Sequence, residues 1–186
     1  RGLGDVYKRQ GEPIETIYLG GGTPSQLAKE DFEAIFSHIY KVYKVTPNAE
    51  ITLEANPDDL TSEYISMLRT FPFNRISMGI QTFQETTLKQ LQRRHTADQA
   101  IRAFQGCRTA GFQNISIDLM YGLPGETLTS WKKDLKQALS LHPEHISAYH
   151  LIYEEGTPLW KLREQHKVEE ADELSLIPIS EPTRQA

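Results

Sequence analysis

Short apolar stretches alternate with longer amphipathic ones along this chain, at a nearly regular spacing. Each of five apolar stretches ends on a glycine cluster or a polar residue, and they cover residues 17–19, 51–53, 76–80, 115–117 and 146–148. The ends at positions 21, 54, 81, 118 and 149 are 33, 27, 37 and 31 residues apart. That spacing accommodates a strand, a helix and two loops, so it predicts a parallel α/β sheet. In a β/α barrel all five ends would meet at one rim.

The stretches between the strands have helical periodicity. Apolar residues from Phe32 to Tyr43 recur every three or four positions, which predicts one buried helix face. Thr96 and Gln99 have the spacing of a capping box, and Gly111 is a suitable end for the helix they open. Further helices are predicted around residues 131–139 and over residues 62–69, 85–92 and 158–166.

Composition narrows the class of protein. The 186 residues are 38% hydrophobic and 24% charged, which is typical of a soluble globular domain. The net charge of −5 argues against a nucleic-acid partner, and no apolar run approaches the roughly 18–20 residues that span a bilayer. The single cysteine, Cys107, excludes an internal disulfide and fits the reducing cytoplasm. We expect its thiol to be buried in a helix.

The two ends of the chain break this pattern. Residues 1–10 and 175–186 fit neither helix nor strand and resemble translated adaptor sequence, so we expect non-native tails. Two ordinary flexible termini are the alternative. Residues 11–174 then form the native part of the chain, a partial barrel domain that is expected to lack a first strand–helix unit.

The sharpest local motif is GGGTPS at residues 20–25. Three glycines directly after a strand let a ligand approach the backbone, whereas the alternative is a simple tight turn. Ser25 is expected to cap the following helix. The motif lacks the lysine and the spacing of a phosphate-binding P-loop.

Polar residues at the other strand ends add candidate chemistry. Glu54 could accept hydrogen bonds from the vicinal hydroxyls of a ribose, or be a surface glutamate. Asp118 is a lone charge between apolar residues, so it must be paired or lie near the solvent-filled mouth of a barrel. Arg93 could pair with Asp118, clamp a substrate carboxylate, or simply be solvated. Gln81 offers both a donor and an acceptor.

Histidines do not predict a metal site. His95, His145 and His150 lack the H-x-x-x-H and H-E-x-x-H spacings of zinc proteins. His95 is expected to be a helix-start residue.

Four motifs taken together resemble the radical SAM family of oxygen-independent coproporphyrinogen III oxidases. They occupy residues 19–25, 54–57, 77–83 and 118–125. Residues 145–151 and 154–157 resemble the haem chaperone branch (HemW-like) more than the oxidases. The resemblance covers nearly all of residues 14–174. It implies an incomplete parallel (β/α)6 barrel, with about five β/α units present, that uses S-adenosylmethionine and a 4Fe-4S cluster.

The resemblance also implies cofactor-binding residues, which are Gly21, Gly22, Thr23, Glu54, Gln81, Arg93, Asp118 and Tyr149. The glycines would meet the methionine end of S-adenosylmethionine, with Thr23 beside them, and Glu54 would bind the ribose hydroxyls. In the oxidases Gln81, Arg93 and Asp118 match positions around a second S-adenosylmethionine, and a chaperone could use them otherwise. The tyrosine would give the adenine a backbone contact. No catalytic residue is assigned.

The family's CxxxCxxC loop, which holds the cluster, is absent from this chain, and Cys107 falls in the wrong element. We therefore expect the chain alone to hold no cluster in the family manner and to start no radical chemistry. The C-terminal domain that the resemblance implies is also absent.

For the whole protein the resemblance implies a chaperone that binds haem or porphyrin and passes haem to client haemoproteins, membrane-associated ones among them. The alternative is an enzyme, a radical SAM coproporphyrinogen III oxidase that carries out oxidative decarboxylation in haem biosynthesis. An unrelated aldolase-type barrel would need a catalytic lysine at a strand end, and none stands at the five ends.

Overall fold

A computed structural model describes residues 12–165 and residue 168. The two tails predicted to be non-native, residues 1–10 and 175–186, lie outside the described residues, so that prediction stays open. Among the residues that are described, no helix combines the length and the apolar character needed to cross a bilayer.

Five strands form one parallel sheet whose spatial order equals their order in the chain. They are β1 (Ile14–Leu19), β2 (Val45–Ala55), β3 (Arg75–Gln81), β4 (Asn114–Tyr121) and β5 (His145–His150). All four neighbouring pairs are parallel. The sheet curls into a half-barrel with alternating helices. The predicted fold class, with five β/α units, is therefore confirmed.

The connecting helices follow the predicted pattern. They are α1 (Lys29–Val42), α2 (Ser62–Leu68), α3 (Glu85–Gln90), α4 (Ala97–Thr109), α5 (Leu128–Ser140) and α6 (Pro158–Glu164), with short 3₁₀ turns at Pro24–Gln26 and Pro57–Asp59. Thr96 forms the predicted capping box, because its hydroxyl accepts from the Gln99 backbone and the Gln99 side chain accepts from the Thr96 backbone. Gly111 lies just beyond α4 with φ +96°.

The prediction that Ser25 caps a helix is wrong. Its 3₁₀ turn directs the Ser25 hydroxyl inward, where it donates to Asp59 at 2.6 Å and accepts from the Asn56 backbone at 3.1 Å. The first turn of α1 is instead capped by Asp31, whose carboxylate accepts from the Ala28 backbone at 2.9 Å. Ser25 therefore joins the loops that follow β1 and β2.

The strands separate an apolar face from a polar one. Alternate residues point to opposite sides of a sheet. On the convex side they are buried against the helices, and in β2, β3 and β4 these are Ile51, Leu53, Ala55, Ile76, Met78, Ile80, Ile115, Ile117 and Leu119. Cys107 is fully buried in the same core, as predicted. Residues of the opposite period, such as Glu54, Ser77 and Asp118, face the concave side.

Candidate functional site

A cavity of about 300 Å³ opens on the concave side, at the carboxyl ends of the strands. Its lining consists of Gly22, Thr23, Pro24, Ser25, Glu54, Ala55, Asn56, Ser77, Gly79, Gln81, Asp118, Met120 and Tyr149. Six of the eight residues predicted to bind a cofactor are among them. The other two contact this lining, because Gly21 hydrogen-bonds to Glu54 and Arg93 hydrogen-bonds to Gly79.

The glycine loop forms one wall of the cavity from its backbone. Gly21 and Gly22 have φ values of +79° and +61°, a conformation that other residues rarely adopt. Apart from the flanking residues, no atom of the described part of the chain lies within 4 Å of the point where a Cβ would stand on either glycine. The loop therefore presents backbone groups to open space, where a ligand can approach them closely.

Glu54, at the end of β2, is held by two donors from the neighbouring strand and loop. The Tyr18 hydroxyl donates to Oε1 at 2.6 Å, and the Gly21 backbone N–H donates to Oε2 at 2.9 Å. Partial burial, together with the hydrogen bond to Glu54 and its charge, raises the pKa of Tyr18 to about 12. Tyr18 was not predicted as a site residue. The available signal was its position two residues before Gly20, which places it on the concave face of β1.

Asp118 lies in the middle of the sheet with incomplete hydrogen bonding. Ser77 donates to its Oδ2 at 2.9 Å, while Oδ1 is buried without a hydrogen-bond partner among the described residues. Burial raises the pKa of Asp118, and the hydroxyls of Ser77 and Ser147 partly offset that rise. The carboxyl group therefore keeps accepting capacity for a polar ligand.

Arg93 does not form the pair with Asp118 that the sequence left open. Its Nη2 donates to Asn56 Oδ1 at 2.7 Å and to the Gly79 carbonyl at 2.9 Å. Burial lowers the pKa of Arg93. The guanidinium group thus ties the end of β3 to the turn after β2, at the edge of the cavity.

Gln81 and Tyr149 complete the rim. The backbone of Gln81 has φ +71°, and the pairing of β3 with β4 is irregular between Gly79 and Gln81. Non-glycine residues in this conformation cost energy and concentrate at functional sites. Tyr149 lies opposite Met120 on the last strand, and 56% of its surface is exposed.

Two buried polar residues support the rim from behind. His95 stands directly before Thr96, the N-cap of α4, so it is a helix-start residue as predicted. Its Nε2 lies 3.1 Å from the Ile80 carbonyl oxygen. Asp134, in α5, accepts from the Thr82 hydroxyl at 2.5 Å and from Gln84 Nε2 at 2.8 Å. Asp134 was not predicted, although its place on the buried face of an amphipathic helix was a signal.

The residues present fit one of the two implied cofactors. The glycine backbone, the Glu54 carboxylate and the Asp118 carboxyl group are suited to the amino-acid, hydroxyl and amine groups of S-adenosylmethionine. A 4Fe-4S cluster held by three thiolates does not fit, because the chain has one cysteine. Burial raises the pKa of that thiol, Cys107, to about 12. In the part of the chain that is described, no three His, Cys, Asp or Glu residues are grouped to hold a metal ion.

Comparison with protein families gives a match to the radical SAM superfamily over residues 4–138. Among curated proteins, the chain is 39% identical to the heme chaperone HemW of Bacillus subtilis over 166 residues, which are 88% of this chain and 44% of that protein. It is 42% identical to the heme chaperone HemW of Lactococcus lactis over 146 residues, which are 78% of this chain and 38% of that protein. The chain therefore spans less than half the length of these relatives.

Among solved structures, the fold is similar to that of coproporphyrinogen III oxidase (HemN) from Escherichia coli. The TM-score is 0.74 at 28% sequence identity, and the match covers 87% of this chain and 36% of that chain.

Proposed function

Because the chain belongs to the radical SAM superfamily, we propose that its concave cavity binds S-adenosylmethionine, as part of a cytoplasmic haem chaperone that transfers haem to client haemoproteins. The observation that carries the binding proposal is the junction of the glycine loop with Glu54 in one cavity. The haem part rests on relatives that are named heme chaperones and are 39% and 42% identical to this chain.

The proposed roles follow the chemistry of each group. Gly21 and Gly22 offer the backbone to the methionine end, and Glu54 accepts from the two ribose hydroxyls. Asp118, which lines the cavity, accepts from a further donor of the ligand through its carboxyl group. S-adenosylmethionine supplies one-electron chemistry only together with a reduced cluster, for which this chain's single cysteine is insufficient. The proposal for the chain itself is therefore binding.

Binding can be tested by calorimetric titration of the chain with S-adenosylmethionine. We expect Glu54→Ala to weaken the affinity at least tenfold, because a charged acceptor for two hydroxyls is lost. Glu50→Ala is a matched control, since Glu50 lies on the same strand and outside the cavity lining. Equal affinities for wild type and Glu54→Ala would contradict the ribose role.

A second candidate function is oxidative decarboxylation of coproporphyrinogen III, which the fold similarity to the Escherichia coli oxidase favours. Haem titration of the full-length protein followed by absorption, in parallel with an anaerobic assay of coproporphyrinogen consumption by the same protein with its cluster reconstituted, separates the two candidates. Saturable haem binding without decarboxylation supports the chaperone. Repeated turnover of the porphyrinogen would favour the enzyme.

A further inference from the structure

Tyr18 and Gly21 place one donor on each oxygen of the Glu54 carboxylate. The phenol donates to Oε1 and the backbone N–H donates to Oε2. A carboxylate has about four lone-pair positions, so one position remains on each oxygen. This is the acceptor pattern that suits two neighbouring hydroxyl groups of one ligand.

The same two donors order the Glu54 side chain before any ligand arrives. A glutamate that is free to rotate loses conformational entropy when it binds, and this loss reduces affinity. The Tyr18 phenol is protonated at neutral pH, as any tyrosine is, and its pKa is raised further to about 12. It therefore remains a donor and does not repel the carboxylate.

Gly20 makes this arrangement possible. A Cβ on Gly20 would stand 2.4 Å from Cε1 of Tyr18 and 2.7 Å from Cδ of Glu54. Both distances are shorter than real Cβ contacts, so a side chain here would push the pair apart. The first glycine of the loop thus serves the Tyr18–Glu54 contact, whereas Gly21 and Gly22 serve the backbone conformation.

We propose that Tyr18 is a positioning residue that presents Glu54 to the vicinal hydroxyls of a ribose-containing ligand, with Gly20 providing the clearance. The inference rests on the proposed function, because it concerns the same cavity and the same glutamate. It adds a determinant of specificity, namely the selection of a ribose over a sugar that lacks the hydroxyls.

The test compares adenosine with 2′,3′-dideoxyadenosine as probes in titrations of the full chain. Wild type is expected to prefer adenosine at least tenfold. Tyr18→Phe removes only the hydroxyl, so it should reduce this preference at least threefold while leaving the dideoxyadenosine affinity unchanged. Tyr40→Phe is the control, because Tyr40 is exposed on α1 and outside the cavity lining.

A general loss of folding would weaken both probes equally, so the ratio of affinities isolates the positioning role. Gly20→Ala provides a second variant and should lower the ratio in the same way. If wild type prefers adenosine and both variants keep that preference, the inference is overturned and the proposed function stands. If wild type binds neither adenosine nor S-adenosylmethionine, both are overturned.

Discussion

Asp118 combines two properties that oppose each other in a folded protein. Its carboxyl group is largely buried, which raises its pKa, and Oδ1 has no hydrogen-bond partner among the described residues. Removing a charge from water without full compensation destabilises the fold. Asp118 also lines the cavity, so this incompletely bonded carboxyl group lies beside the space for a ligand. Asp118 therefore has the character of a binding residue that is retained at the expense of stability.

We predict that Asp118→Asn stabilises the protein at neutral pH by roughly 1 kcal/mol, the usual size of a single-substitution effect. The pKa of Asp118 is raised in the folded state, so the buried charge destabilises the folded protein. This destabilisation is absent below the ordinary pKa of 3.8 and develops as the pH rises. The advantage of the asparagine should accordingly be larger at pH 7.5 than at pH 3.5 in urea denaturation. Asp98→Asn, at an exposed position of α4, should change stability little. A less stable Asp118→Asn variant at pH 7.5 would contradict this account.

Single site residues could be predicted where a polar or charged residue follows an apolar stretch. Glu54 and Asp118 stand out because each is a charge at the end of an apolar stretch. Ser77 lies within such a stretch, so only the period of two shows that it faces Asp118. The partner of Arg93 depends on how the loops after β2 and β3 approach each other, and no local pattern contains that information.

At the scale of elements, the apolar stretches located all five strands but not their full lengths. Strand β2 begins at Val45, six residues before its apolar stretch, because its first half pairs with only one neighbour and tolerates polar residues. The irregularity at Gln81 was also missed. The positive φ at Gln81 coincides with the irregular pairing of β3 with β4, and it has no signature in composition.

The end of β3 yields a test of this backbone strain. We predict that Gln81→Gly is more stable than Gln81→Ala by about 1 kcal/mol, because glycine adopts φ +71° without steric cost. Both variants lose the same amide, so their difference reports the backbone alone. Thermal and urea unfolding would measure it.

The matched pair for that experiment is Glu50→Gly and Glu50→Ala, because Glu50 lies in β2 and its φ is not positive. There the order should be reversed, since glycine in a strand interior is less stable than alanine by roughly 0.5–1 kcal/mol. The same order at both positions would refute the strain at Gln81.

At the scale of the whole molecule, the alternation of apolar and polar residues along the strands produces both the core and the candidate site. The convex face of the sheet packs against the helices, and the concave face carries polar side chains to one rim. Hydrophobic periodicity predicted that division. The family resemblance supplied the eight proposed site residues, and six of them line one cavity. Periodicity could not predict Tyr18 or Asp134, because their roles depend on long-range contacts with Glu54 and Thr82.

The burial of titratable groups predicts how the stability of the molecule changes at alkaline pH. Burial raises the pKa of Cys107 from 9.0 to about 12, and the pKa values of Tyr18 and Tyr64 are also raised to about 12. Each group favours the folded state while it is neutral, so stability is complete below the ordinary pKa values and falls as pH rises toward 12. For the fully buried Cys107 the loss amounts to about 4 kcal/mol, at about 1.4 kcal/mol per pKa unit.

Urea unfolding under reducing conditions, at pH 7.5 and at steps up to pH 10.5, should therefore show a falling free energy of unfolding from about pH 9. Cys107→Ala should start from a lower stability at pH 7.5, because the core loses a sulfur atom. Its decline with pH should nevertheless be shallower, since only the tyrosines still contribute. Parallel declines in wild type and variant would mean that the thiol is not held in the apolar layer between the sheet and α4.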